Sequence, residues 1–323
     1  MTLHYDKMTV LRIAKYYYLD GLSQQEISEK ENIHRSQISR ILKMAREMGY
    51  VQIHISAPDS FAADSLARRV ERGLNLREVF VTPSLSSQAT QDESLYFFAA
   101  RHLEEVLPHC KNIGIGLGKT LYHVAAQLTA QTLEEKPEFF GVAGTSGTDN
   151  PYLQASVLLD NFARPFQGHC HYNNFPIFVE RGMMSPLEQK RYAELQDAYR
   201  KLDTVVLSIG GVTNINFPYL EECSRVIDKN PEILQSLTRQ HGNLLGHVFF
   251  ENHEALEPPQ GFLLPSMSLS QLESVPNVIC IANGKQKVEP IISASLQGYI
   301  KSLITDEPTA QGILQKIEPS PEH

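Results

Sequence analysis

Three glycine-rich turns hold the residues whose types and spacing best suit the capture of an anion. The first runs Gly114-Ile115-Gly116-Leu117-Gly118-Lys119-Thr120, the second Gly144-Thr145-Ser146-Gly147-Thr148-Asp149-Asn150, and the third Ala282-Asn283-Gly284-Lys285-Gln286-Lys287. Small residues let backbone amides and a helix start approach a phosphate, the second turn adds hydroxyl donors, and Lys119 and Lys287 add cations. The ending Gly118-Lys119-Thr120 matches that of a nucleotide-hydrolase phosphate loop. That motif requires glycine five residues before Gly118, where Ile113 stands, so nucleotide hydrolysis is disfavoured. Taken singly, each turn reads as an ordinary strand-to-helix connection. Their repetition points to a binding site, with Gly116, Gly118, Lys119, Thr120, Gly144, Thr145, Ser146, Gly147 and Lys287 as candidate contacts.

Other reactive residues do not assemble into a site. His169-Cys170-His171 has metal-ligand residue types, yet no third ligand is identifiable, and alternation along a strand explains the pattern better. Asp160, Asp203, Glu221 and Glu222 could support acid–base chemistry, but no spacing singles out a pair, so no catalytic residue, metal or cofactor is assigned. Cys110, Cys170, Cys223 and Cys280 are far apart, form no CxxC pair, and read as small core residues in a reducing compartment.

A second chemistry lies in the first 58 residues. Arg35, Ser36, Gln37, Ser39, Arg40 and Lys43 fall on the polar side of a segment whose apolar positions are Ile38, Ile41 and Leu42. In a major groove, Arg and Gln pair with guanine and adenine edges respectively. The preceding segments supply the frame such a helix requires. Tyr5 to Leu19 has apolar residues at a helical period. Ser23-Gln24-Gln25-Glu26 is a capping box that opens a second helix, and Asn32 stands where a tight turn needs a left-handed residue. After Gly49, Tyr50 to Ser56 alternates with period two, giving a strand and a small wing. The unit reads as a winged helix-turn-helix with Ser23 and Gln24 beside the recognition helix, and its partner is operator DNA.

Charge agrees with this division. The chain has 323 residues and a formal charge of -8, but residues 1–58 carry a net +2 and the remainder a net -10. A DNA-binding surface must therefore lie in the first 58 residues. Apolar residues make up 42% and are spread along the chain, with no run of about 20 to span a membrane and no secretory signal at the start, so a cytoplasmic protein is expected. Pro58-Asp59-Ser60 marks the boundary between a domain of residues 1–58 and one of residues 59–323, and residues 60 to 73 read as a helical linker. Beyond it, short apolar runs alternate with helical patterns. Strands are expected at Glu78–Val81, Asn112–Ile115, Phe139–Val142, Thr204–Ser208, Leu244–Phe250 and Val278–Ile281. Helices are expected at Ser94–Leu107, Leu121–Leu128, Leu153–Ala163, Pro186–Leu202, Pro231–Arg239, Pro290–Leu296 and Pro308–Ile317. The fold class is α/β, a mostly parallel, Rossmann-like sheet covered on both faces, in which ligands bind where strands end and helices begin.

From Ile13-Ala14-Lys15-Tyr16-Tyr17-Tyr18 and Leu22-Ser23-Gln24-Gln25-Glu26-Ile27, through Ser39-Arg40-Ile41-Leu42, to Gly298-Tyr299-Ile300-Lys301-Ser302-Leu303-Ile304-Thr305-Asp306-Glu307, the chain resembles the SorC family of sugar-operon regulators. The resemblance implies a sensor domain similar in fold to amino-sugar phosphate isomerases and CoA transferases, used for binding, with a small phosphorylated sugar as effector and a homodimer or homotetramer as assembly. It places effector loops at Gly116 to Thr120, Gly144 to Thr148, Ser208 to Gly211, Gly242-Asn243 and Lys287, which adds Gly210 and Asn243 to the candidates. Leu117 stands where many relatives carry Trp, and Asn243 where many carry Asp. An amide donates as well as accepts, so the pocket suits a different hydroxyl pattern or a different ligand. Two other classes remain. A sugar-phosphate isomerase fused to a DNA-binding arm would turn over its ligand, and a scaffold protein would show no sequence preference on DNA.

Overall fold

Local capping sets the N-terminal elements. Asp6 accepts from the Thr9 amide at 3.0 Å and opens helix α1, Lys7–Tyr18. Ser23 and Glu26 form the reciprocal box, at 3.2 and 2.8 Å, that starts α2, Gln24–Glu31. Asn32 ends α2 at φ 53°, ψ 40°, the left-handed conformation its short polar side chain tolerates. His34 then caps α3, Arg35–Glu47, by accepting from the Ser36 amide. Val10, Ile13 and Ala14 of α1, Ile27 of α2, and Ile38, Ile41, Leu42 and Ala45 of α3 share one buried core. The Arg12 guanidinium adds a two-pronged bond to Glu31, 2.9 and 2.8 Å, tying α1 to α2. This is a computed structural model, and it describes residues 5–51, 61–85, 87–145, 152, 154–211, 242–249, 258 and 260–318. From Gln52 onward the expected wing lies outside the described residues, as does the expected helix Pro231–Arg239.

The chain divides into two compact units, residues 1–57 and 58–323. In the second, α4 (Phe61–Leu74) leads into β1 (Glu78–Thr82), followed by α5 (Gln88–Val106), β2 (Asn112–Ile115), α6 (Lys119–Ala125), β3 (Glu138–Gly141), α7 (Ala155–Ala163) and β4 (His169–His171). Then come β5 (Val179–Glu180), α8 (Pro186–Tyr199), β6 (Thr204–Leu207), β7 (Gly242–Leu244), β8 (His247–Phe249) and β9 (Phe262–Leu263). The unit ends with α9 (Leu269–Ser274), β10 (Asn277–Ile281), α10 (Val288–Leu296), β11 (Ser302–Asp306) and α11 (Glu307–Ile317). Seven strands form one parallel sheet in the order β1-β11-β10-β6-β2-β3-β4.

The continuous apolar runs follow from burial on both faces. Val205, Leu207, Val278, Cys280 and Leu303 point to one layer, with Leu66, Val70 and Leu74 of α4, Tyr199 of α8 and Ile291 of α10. Their alternates Val206, Ile279, Ile281 and Ile304 point to the other, with Leu95 and Leu103 of α5, Leu121 of α6 and Phe162 of α7. Each such side chain contributes about 1.5–3 kcal/mol by leaving water. The chain steps from β2 to β3 to β4 in one direction and from β6 to β10 to β11 in the other. The loops after β2 and β6 therefore diverge and leave a crevice at the carboxyl ends of the strands.

Three of the departures from the sequence expectation are the following. Leu244–Phe250 is not one strand but an antiparallel hairpin, because Leu245 and Gly246 both take positive φ, 51° and 92°, as a two-residue hairpin turn requires; Phe250 lies outside the described residues. Ser302–Asp306 is a fully buried strand between β1 and β10. Leu269–Ser274 is a helix opened by a Ser268–Gln271 capping box. Among the described residues, no helix is long and apolar enough to cross a membrane.

Candidate functional site

Two surfaces carry the chemistry, one in each unit. On α3, Arg35, Ser36, Ser39, Arg40, Lys43 and Arg46 are exposed and Gln37 half-buried, opposite the core positions Ile38, Ile41, Leu42 and Ala45. The helical repeat separates these faces, so the packing that fixes the helix also presents its basic side. Ser23 and Gln24 lie at the start of α2, where the Ser23 hydroxyl is committed to its own cap. The Ser36 hydroxyl lies 3.1 Å from His34 Nδ1.

In the second unit, β2, β6 and β10 end at the turns expected to bind an anion. Most of the candidate amides, however, already donate within the chain and are not free for an anion. Gly116 N–H bonds to the Val206 carbonyl at 2.9 Å, Gly118 to Tyr152 at 3.1 Å, Thr145 to Phe175 at 2.8 Å and Gly210 to Asn243 at 2.9 Å, while Gly144 donates to Ser266 Oγ at 3.2 Å. Gly144 is glycine for a packing reason, since a Cβ there would lie 2.8 Å from the Pro176 carbonyl oxygen. Ser146 and Gly147 lie outside the described residues. At α6 the amides of Lys119, Thr120 and Leu121 precede the first intrahelical bond, from Tyr122 N–H to the Gly118 carbonyl. Thr120 is buried and Lys119 exposed.

Four of the candidate segments meet. A Cβ on Gly116 would lie 3.0 Å from Leu245 of the hairpin, Gly210 bridges to Asn243, and a Cβ on Gly211 would meet Gln286 of the third turn at 2.7 Å. This brings the ends of β2, β6 and β10 together with the β7–β8 hairpin. Gly144 and Thr145 instead make their contacts with Phe175 to Ile177 and Ser266. The Asn243 carboxamide oxygen accepts from Gly246 N–H at 3.2 Å, which commits that oxygen to the turn and leaves its NH2 as the available donor.

Lys287 is the distinctive group of this site. It is half-buried, and its ammonium has no hydrogen-bond acceptor or ion-pair partner among the described residues. Burial pushes its pKa down, opposed by Cys280, Asp92 and Asp306. Nearby, the Tyr96 ring stacks on His123 at 5.1 Å, with Tyr152 at 5.6 Å from the same imidazole. Burial and the Lys119 charge lower the His123 pKa against Asp92, and burial pushes Tyr96 up to about 12.

Sequence reading did not single out Asp92, Tyr96, His123 or Asp306. Asp92 and Tyr96 sit one turn apart on α5, far in sequence from every glycine turn, and only the fold brings them there. Asp306 did carry a signal. It N-caps α11 with Pro308 in the first turn, accepting from Thr309 N–H at 3.0 Å. His169-Cys170-His171 is edge strand β4, with His171 Nε2 2.6 Å from Glu138 Oε2. Among the described residues, no cluster of three or more metal-ligating side chains occurs. Cys110, Cys170 and Cys280 are free thiols.

Comparison with known proteins places this arrangement. The sugar-binding domain family matches residues 59–315. The chain is 25% identical over 322 residues to the deoxyribonucleoside regulator of Bacillus subtilis (strain 168), covering 95% of this chain and 97% of that protein. It is 24% identical over 311 residues to the transcriptional regulator LsrR of Enterobacter sp. (strain 638), covering 94% and 92%. The full-length sorbitol operon regulator SorC of Klebsiella pneumoniae has a similar fold, with TM-score 0.67 and 22% identity over 96% of this chain and 100% of that one.

Proposed function

The chain belongs to the sugar-binding domain family, and from that premise we infer that it is a SorC-type transcription regulator, with α3 on operator DNA and a sugar effector held in the second unit. Relatives named as regulators along nearly the whole chain favour this over an isomerase carrying a DNA-binding arm. We assign the DNA contacts to Ser23, Gln24, Arg35, Ser36, Gln37, Ser39, Arg40 and Lys43. The effector contacts are Gly116, Gly118, Lys119, Thr120, Gly144, Thr145, Ser146, Gly147, Gly210, Asn243 and Lys287.

A phosphorylated sugar is the effector class we favour. The observation that carries it is the Lys287 ammonium beside the crevice at the strand ends, which has no acceptor among the described residues. An anionic group supplies a charged acceptor, a stronger partner for the ammonium than a neutral sugar's hydroxyl. Because most loop amides are committed within the chain, the cations Lys287 and Lys119 carry more of the anion's binding than the backbone does. A small helix-turn-helix reads few base pairs, so two copies on a pseudo-palindromic operator in the cytoplasm complete the reading.

Operator titrations of the full chain test it. A phosphorylated sugar from a panel should change operator affinity, while its unphosphorylated counterpart has little effect. Turnover of any panel member, or binding to random DNA equal to operator binding, overturns the regulator reading.

A further inference from the structure

The turn that carries Lys287 is anchored in an unusual way. Asn283, 8% exposed, donates from one nitrogen to two carboxylates, Asp92 Oδ1 at 2.8 Å and Asp306 Oδ2 at 3.2 Å. One acid comes from α5 and the other from the end of β11, so the amide joins elements nearly 200 residues apart in the chain. The next residue is pinned as well. Gly284 N–H donates to Thr309 Oγ1 at 2.8 Å, and Thr309 N–H in turn donates to Asp306 Oδ1 at 3.0 Å. Lys287 N–H closes the turn onto the Gly284 carbonyl at 2.9 Å.

We propose that Asn283 is the positioning residue of the effector site, holding the Lys287 turn in place by bridging Asp92 and Asp306. The proposal deepens the assignment of Lys287 to the effector anion and rests on it for its functional consequence. Only a group with two hydrogens on one atom and no negative charge can satisfy both acids at once. An aspartate at 283 would bring a third carboxylate to this place, and an apolar residue would take one donor from each acid, leaving Gln88 on Asp92 and Thr309 N–H on Asp306. The titratable groups facing Lys287 are Asp92 of α5, Asp306 of β11 and the Cys280 thiol of β10; Asp92 is also faced by His123 of α6 and accepts from Gln88 at 2.7 Å. The bridge therefore sets both where the ammonium sits and how much negative charge surrounds it. That second property is one a purely structural hydrogen bond lacks.

The test is the pH profile of Lys287 acylation in the full chain, read by peptide mass spectrometry with and without inorganic phosphate. Asp92→Asn should move the Lys287 midpoint to lower pH, because an opposing carboxylate is lost. Asn283→Asp should move it to higher pH and weaken phosphate protection on the order of tenfold. The exchange Asp92→Asn/Asn283→Asp restores one amide and one acid at the same pair of positions, and should return the midpoint toward that of the parent chain. An Asn283→Asp protein with the parent profile and only a lower melting temperature overturns the proposal. So does an unchanged midpoint in Asp92→Asn, which keeps a hydrogen-bonding side chain if Asn283→Asp does not fold. A parent chain that phosphate does not protect, in which Asn283→Asp still shifts the midpoint, refutes the anion reading and leaves the positioning role standing.

Discussion

Replacing Lys287 with methionine should have opposite effects on the ligand-free and ligand-bound protein. Methionine keeps much of the length and volume of lysine but removes a charge that burial disfavours and that has no acceptor among the described residues. An unsatisfied buried polar group costs about 1–3 kcal/mol, and the lower end applies here because Lys287 is only half-buried and Asp92 and Asp306 offset part of the penalty. A gain of about 1 kcal/mol raises the melting temperature of a unit this size by about 2–4 °C. The pH dependence has a definite sign. With its folded pKa below the ordinary 10.5, Lys287 binds fewer protons in the folded state than in the unfolded state between those two values. Stability of the parent chain therefore rises with pH through that window, and Lys287→Met removes this rise. An anion holds the charged form, so its binding weakens as pH climbs through the folded pKa. Differential scanning fluorimetry over a pH series, with and without a phosphorylated sugar, reads all of these effects. A ligand-free Lys287→Met protein that melts below the parent, or that keeps the full ligand shift, would refute the reasoning.

Further substitutions probe the remaining assignments. Arg35→Ala or Gln37→Ala should reduce discrimination between operator and mutated operator by about 1–3 kcal/mol if the side chain reads a base, whereas Lys43→Ala should weaken all DNA alike and flatten the salt dependence of binding. Fluorescence anisotropy over a salt series separates the two classes. Ser23→Ala removes the capping box of α2 and should destabilise the first unit by about 1 kcal/mol, seen as faster amide exchange at Glu26 and Ile27. Gly114→Ala would place a Cβ 2.6 Å from Val142 and 2.9 Å from both Leu202 and Val205, an overpacking penalty of about 1–3 kcal/mol in denaturant titration of the second unit.

Legibility in the sequence followed the range of the interactions that decide each feature. Ser23, Glu26 and Asn32 act within a few residues, so the helices and their turn could be read from spacing alone, and the structure places the capping box and the left-handed Asn32 there. The parallel sheet was legible through a different signal, since strands buried on both faces carry no polar alternation and show as short apolar runs. Ser302–Asp306 escaped that signal because it mixes Ser, Thr and Asp with its apolar residues. Those polar residues are tolerated in a buried strand partly through partners for their side chains, such as the distant Asn283 and the local cap at Thr309 for Asp306. The hairpin escaped because Leu245 takes a positive φ that its residue type does not announce.

The effector site divides along the same line. Glycine-rich turns are visible in a sequence because glycine is a local requirement, but a turn's shape does not reveal where its amides go. At Gly116, Gly118 and Gly144 those partners are Val206, Tyr152 and Ser266, contributed by segments 34 to more than 100 residues away. Once the amides are committed, the anion-binding role passes to side chains, and a side chain's availability is decided by what the fold packs around it. Residue type alone does not separate Lys285 from Lys287 in the third turn, and it is the family resemblance that marks Lys287. The fold leaves Lys285 exposed to water and sets Lys287 half-buried near Asp92, Asp306 and Cys280, so Lys287 is the cation whose surroundings the fold determines.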